Sequence, residues 1–113
     1  MKKQTPEQIV KTAICQWLEL KHVFFWLNSS VGIYDPIRKI YRKNNSRYHR
    51  NGQPDILGIT MLGTFFGCEV KAPGKKPTPE QQDFITEANA RGAICFWADS
   101  LDSFISQWEE RII

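Results

Sequence analysis

Apolar residues recur along the chain at two different periods, and the changes between them mark out the elements. From Pro6 to about Leu20, the residues Ile9, Val10, Ala13, Ile14, Trp17 and Leu18 fall on one face of a 3.6-residue repeat, which predicts an amphipathic helix. "VFFWL" (23–27) reads as a short buried strand, and "NSSVGIYDP" (28–36) as loop and turn. Residues 37–42 can form a short strand before a basic loop. "PDILGI" (54–59) is a strand led by a proline, a position where the missing N–H is tolerated. A tight connection around Met61, Leu62 and Gly63 returns the chain into a strand over 64–71. A hairpin centred on Leu62 pairs positions summing to 124 and sets Asp55 opposite Glu69, whereas a two-residue turn at Leu62-Gly63 shifts the register by one. Either register brings the two carboxylates close.

The second half repeats the helix signals. "TPEQ" occurs at 5–8 and again at 78–81, each time ahead of a helical pattern. Thr caps, Pro suits the first helical position, Glu suits the dipole, and Gln three residues past the cap closes a capping box. The residues that follow the two copies differ, so these are two helix starts and not an internal repeat. The second helix runs from Pro79 to about Arg91 and stops at Gly92. "AICFWA" (93–98) is a further buried strand, and Ser100 caps a last helix with Leu101, Phe104, Ile105 and Trp108 on one face. Strand 64–71, helix 79–91 and strand 93–98 make a βαβ unit with parallel strands and a right-handed crossover. The expected order is α-β-β-β-β-α-β-α: an α/β domain with a mixed sheet flanked by helices on both sides. Trp26, Trp97 and Trp108 read as core or interface residues.

Composition narrows the class. At 113 residues, with 42% hydrophobic and 24% charged residues, the chain is one globular domain able to bury an ordinary core. No apolar run approaches the roughly 20 residues of a membrane span. The Met-Lys-Lys start leads into a helix signal and not an apolar stretch, so the expected compartment is the cytoplasm. Cys15, Cys68 and Cys95 are odd in number, widely spaced and set among apolar neighbours, which fits buried thiols and neither a disulfide framework nor a zinc spacing.

Charge changes the picture in one place. The net charge is +3, yet residues 37–50 hold Arg38, Lys39, Arg42, Lys43, Arg47 and Arg50 with no acid, so the rest of the chain is net −3. Tyr41, Tyr48 and His49 are interleaved. This is either a solvated basic loop or edge, or a phosphate-contacting surface with stacking side chains.

The candidate chemistry interrupts an apolar strand. In "FFGCEVKAPGKK" (65–76), Glu69 and Lys71 share one strand face, and burying either costs several kcal/mol unless it is paired or metal-bound. Asp55 follows Pro54, and thirteen residues separate it from Glu69, giving the pattern P-D-x13-E-V-K. Mg²⁺ or Mn²⁺ takes hard oxygen ligands, which Asp55, Glu69 and the Val70 carbonyl can supply. Lys71 then stands where it can orient a water and steady charge on a phosphate. The plainer alternative is a Glu69–Lys71 surface pair with Asp55 as a turn residue.

"NGQPDILGI", "GCEVKAPGKK" and "TPEQQDFI" together resemble, in the family's order and over nearly the whole chain, the virus-type replication-repair nuclease (VRR-NUC) family. That family belongs to the PD-(D/E)XK superfamily of metal-dependent nucleases with a restriction-endonuclease-like core. The resemblance implies that Glu7, Asp55 and Glu69 bind metal, that Lys71 is catalytic, and that Gln81 supports the active site. Glu7 is the weaker transfer, since a first-turn helix Glu needs no function to explain it, Gln81 also reads as a capping residue, and Gln82 is the neighbouring candidate. A core without accessory domains is similar to phage and bacterial members that act as homodimers on branched DNA. The implied activity is a Mg²⁺- or Mn²⁺-dependent DNA endonuclease, structure-selective for four-way junctions or flaps in replication, recombination or repair. Residues 37–50, Lys75 and Lys76 would grip the backbone. The rivals are a non-catalytic nucleic-acid-binding module on the same fold and a sequence-specific restriction-type endonuclease.

Overall fold

The computed structural model describes residues 3–28, 33–42 and 47–112, with residues 33, 34 and 40–42 described by backbone alone. The elements run α1 (Pro6–Leu20), β1 (Phe24–Leu27), β2 (Ile33–Asp35), β3 (Ile40–Arg42), β4 (Ile56–Ile59), β5 (Phe65–Val70), α2 (Pro79–Ala90), β6 (Ile94–Ala98) and α3 (Leu101–Arg111). Four strands form a mixed sheet in the order β1-β4-β5-β6. β1, β4 and β5 are antiparallel neighbours, and β6 lies parallel to β5 across the α2 connection.

Strand alternation sorts the sheet's side chains into two layers. Ile56, Phe66, Cys68, Val70, Phe96 and Ala98 point to one face and form a core with Val10, Ile14 and Leu18 of α1 and Phe104 of α3. Edge-on ring contacts tie Trp108 into this layer, at 5.0 Å from Phe66 and 5.9 Å from Trp17. Each of the fully buried large side chains contributes about 1.5–3 kcal/mol by leaving water. Gly67, Glu69 and Cys95 point to the opposite face, where α2 packs beside β6. Helices therefore cover both faces.

The β4–β5 hairpin has the register summing to 124, with Ile56 opposite Cys68 and Ile59 opposite Phe65. Its turn closes with Thr60 and Thr64 paired, and Gly63 takes φ +84°, the left-handed position of a three-residue hairpin loop. Both capping boxes form, Thr5 with Gln8 and Thr78 with Gln81.

Three expectations are corrected. β1 is not buried: it is an edge of the sheet, with Phe24 67% and Leu27 52% exposed, and only Val23 and Phe25 of this stretch pack against the core. Residues 28–36 are not all loop and 37–42 are not all strand. Ile33–Asp35 and Ile40–Arg42 instead form a separate antiparallel pair, adding one strand to the expected order. The turn between them is held by Asp35 Oδ1, which accepts from the backbone N–H groups of Ile37 and Arg38. Finally, Ile9 is 55% exposed and takes no part in the core layer. Among the described residues, no helix is long and apolar enough to cross a membrane.

Candidate active site

The hairpin register decides the site. Asp55 stands one position before β4, and continuing the pairing beyond Ile56 and Cys68 sets it opposite Glu69. Its carboxylate Oδ2 accepts from the Val70 N–H at 2.9 Å, and its carbonyl accepts from the Asn28 N–H at 2.8 Å. The Asp55 backbone and one carboxylate oxygen are thus both anchored, on β1 and β5 respectively.

Glu69 is the one buried charged residue in this layer, 4% exposed on β5. Its Oε1 accepts from Gln81 Nε2 at 2.9 Å and lies 3.9 Å from Lys71 Nζ. Its Oε2 is buried and accepts no hydrogen bond. Such an orphan is costly in an apolar interior, on the order of 1–3 kcal/mol or more for a charged group. Burial is the largest influence on this carboxyl, followed by the charge of Asp55 and a hydrogen bond with Asp55, and together they push its pKa up to about 8. Lys71 opposes the rise and Glu7 adds to it. A carboxylate cannot donate, so the bond from Glu69 to Asp55 exists only while Glu69 is protonated. Without a cation, Glu69 holds its proton near neutral pH.

Gln81 is fixed at both ends. Its Oε1 accepts from the Thr78 N–H at 2.9 Å, while its Nε2 donates to Glu69. The capping box therefore sets which end of the amide faces the carboxylate. Gln82 is exposed and turned away, lining a groove with Trp97 and Gln107. Of the two glutamines, Gln81 is the one that bonds to Glu69.

The remaining expected site residues are spread more widely. Glu7 stands in the first turn of α1, half-buried, and its charge is felt at Glu69. Among the described residues, however, no group of three or more His, Cys, Asp or Glu side chains is arranged to hold a metal ion. The expected trio of acids is present as a pair, Asp55 and Glu69, with Glu7 behind it at the N-terminus of α1. Val70 ends β5 with its side chain in the core and its N–H engaged by Asp55. Arg38, Lys39, Arg47, Arg50, Lys75 and Lys76 are all exposed. Arg47 lies over the Tyr48 ring at 4.7 Å and donates to its hydroxyl. Lys43 and the Arg42 side chain lie outside the described residues.

Two surface grooves, of about 1030 and 390 Å³, flank α2, and neither contains the acid pair. The larger is bounded by charges of both signs, Arg50 and Arg91 against Glu80, Asp83 and Glu87. It has no single-sign field to draw in phosphate. The acid pair instead sits at the sheet's rim, where β5 ends and Lys71 begins the turn to Lys75 and Lys76.

Cys68 and Cys95 are buried and Cys15 half-buried, all three as free thiols. Burial pushes the Cys68 thiol well above its ordinary range, so it behaves as a core residue.

No family model, curated protein or solved structure matches the chain.

Proposed function

We propose that the chain is a divalent-metal-dependent DNA endonuclease of the VRR-NUC type, with Asp55, Glu69 and Lys71 as its catalytic centre and a restriction-endonuclease-like core as its fold. One observation carries this reading: the buried Oε2 of Glu69 beside Asp55, which accepts no hydrogen bond, with a lysine ammonium 3.9 Å from the other oxygen. Mg²⁺ or Mn²⁺ fits the donor set, which is all hard oxygen and includes one oxygen that accepts no hydrogen bond. Glu69 Oε2 and the Asp55 carboxylate would hold it, with the Val70 carbonyl and Glu7 as further donors. When bound, the cation supplies charge neutralisation at the phosphate and a more acidic water.

The protein's own groups perform the rest. Gln81 holds Glu69 in one rotamer. Asp55 is held by the Val70 N–H, so the two acids keep a fixed separation. Lys71 presents a cation on the same strand face, suited to orienting the attacking water and to opposing charge on the phosphorane-like transition state. Arg38, Lys39, Arg42, Lys43, Arg47, Arg50, Lys75 and Lys76 would contact DNA phosphates, which read shape and charge and not base identity. That favours branched substrates, four-way junctions or flaps, over a fixed sequence. A homodimer would bring two such centres to opposing strands.

The test is purified protein incubated with labelled four-way junction, flap, duplex and single-stranded DNA in Mg²⁺, Mn²⁺ or EDTA. Cleavage of the branched substrates that stops in EDTA is expected. Tight binding without cleavage in either metal would favour a non-catalytic binding module.

A further inference from the structure

Gly52 lies at φ +80°, a region that residues with side chains rarely adopt. Its bare α-carbon also faces the backbone of another element. A Cβ there would meet the Glu80 carbonyl oxygen at 2.5 Å, the Glu80 carbonyl carbon at 2.7 Å and the Gln81 nitrogen at 3.0 Å. These are main-chain atoms in the first turn of α2 and cannot swing aside like the end of a flexible side chain. A second bare α-carbon extends the contact, because a Cβ on Gly67 would meet Pro54 Cγ at 2.8 Å. The segment 52–54 is therefore seated on α2 at one end and on β5 at the other, and Asp55 follows it directly.

We propose that Gly52 is a positioning residue that sets the seat of α2's first turn, and so directs the Gln81 amide onto Glu69 Oε1 and leaves Oε2 as the oxygen free for a cation. The chain of contacts is short. Gly52 touches the Gln81 backbone, Thr78 fixes the Gln81 Oε1 end at 2.9 Å, and Nε2 reaches Glu69 at 2.9 Å. A displacement of the turn by a few tenths of an ångström moves both ends of that amide together. The purpose assigned to Oε2 rests on the metal reading above, whereas the link from Gly52 to Gln81 does not.

Gly74 provides a matched control. It has φ +82°, yet a Cβ on it would meet nothing within 4 Å. Gly52→Ala, Gly52→Asn and Gly74→Ala separate the two possible causes, since Asn tolerates positive φ while still adding a Cβ. Two readouts are taken: the Gln81 side-chain amide resonances in ¹⁵N-labelled protein, and Mn²⁺ affinity by calorimetry. Both Gly52 variants should shift the Gln81 amide resonances and weaken Mn²⁺ binding roughly tenfold, in the range seen when residues behind metal ligands are lost. Gly74→Ala should change neither. In a Gln81→Ala background, Gly52→Asn should cause no further loss of Mn²⁺ affinity. Unmoved Gln81 resonances in Gly52→Asn, or equal shifts in Gly74→Ala, would overturn the proposal. Wild-type protein that binds no Mn²⁺ would refute the metal reading alone, and the Gln81 resonances would still decide the role of Gly52.

Discussion

Gln81 and Glu69 meet through one 2.9 Å hydrogen bond that joins the first turn of α2 to the end of β5. That bond satisfies one oxygen of a buried carboxylate and leaves the other accepting no hydrogen bond. Losing it would leave Glu69 Oε1 with only the Lys71 ammonium, at 3.9 Å. Gln81→Ala should therefore weaken Mn²⁺ binding by roughly 10- to 100-fold, and Gln82→Ala should leave it unchanged. Calorimetric titration of both variants checks this, and equal behaviour of the two would refute the assignment.

The raised pKa of Glu69 carries a definite sign. In the folded chain this carboxyl keeps its proton up to about pH 8, against 4.5 for the ordinary group. Between those values the folded state binds more protons than the unfolded one. Its contribution to stability is fully present below about pH 4.5, declines as pH rises, and is gone above about pH 8. The loss is on the order of a few kcal/mol. Urea unfolding in EDTA, from about pH 5 to about pH 9, should show this decline in wild type and lose most of it in Glu69→Gln.

Metal binding must run in the opposite sense. On the proposed metal reading the cation takes ionised Glu69, so binding near neutral pH would release the Glu69 proton. Mn²⁺ affinity should rise with pH and level off above about 8. Calorimetry in buffers of different ionisation enthalpy measures the proton released per ion bound. No release at about pH 7 would show that Glu69 is already ionised there.

Much of this fold was legible in the sequence, and the reasons are specific. The two "TPEQ" copies encode helix starts locally, and both capping boxes form. The Asp55–Glu69 relationship followed from one hairpin, but its register did not, because Leu62-Gly63 suits two turn types. The Thr60–Thr64 pairing with Gly63 at positive φ selects one of them. β1 was misread because "VFFWL" has the composition of a buried strand, while its place at the edge depends on which strands it pairs with. Gly52 was unreadable for the same reason: "NGQPD" marks a turn, but the helix backbone pressed against it lies 28 positions further on.

Edge and core aromatics should consequently differ in energetic weight. Phe104 is fully buried and touches Trp17, Phe96 and Trp108, so Phe104→Ala should cost about 3–5 kcal/mol. Phe24 is 67% exposed, and Phe24→Ala should cost under about 1 kcal/mol. Denaturant midpoints at constant m-value decide it, and comparable losses would mean that β1 is covered in solution.

The basic stretch makes a separable prediction. Replacing Arg38, Lys39, Arg47 and Arg50 with Gln should weaken junction binding and lower the slope of log K against log salt by up to about 4. Fluorescence anisotropy across salt concentrations measures both, and an unchanged slope would make these residues a solvated surface.

We propose that Asp55, Glu69 and Lys71 form a metal-dependent phosphodiesterase centre. Single-turnover cleavage of a labelled four-way junction by wild type and Lys71→Met, at saturating Mn²⁺ and matched DNA occupancy, tests it most directly. Wild type should cleave, and Lys71→Met should be slower by at least about 100-fold with Mn²⁺ and DNA binding retained. Equal cleavage rates in the two proteins, or no cleavage by wild type under metal-bound conditions, would contradict it.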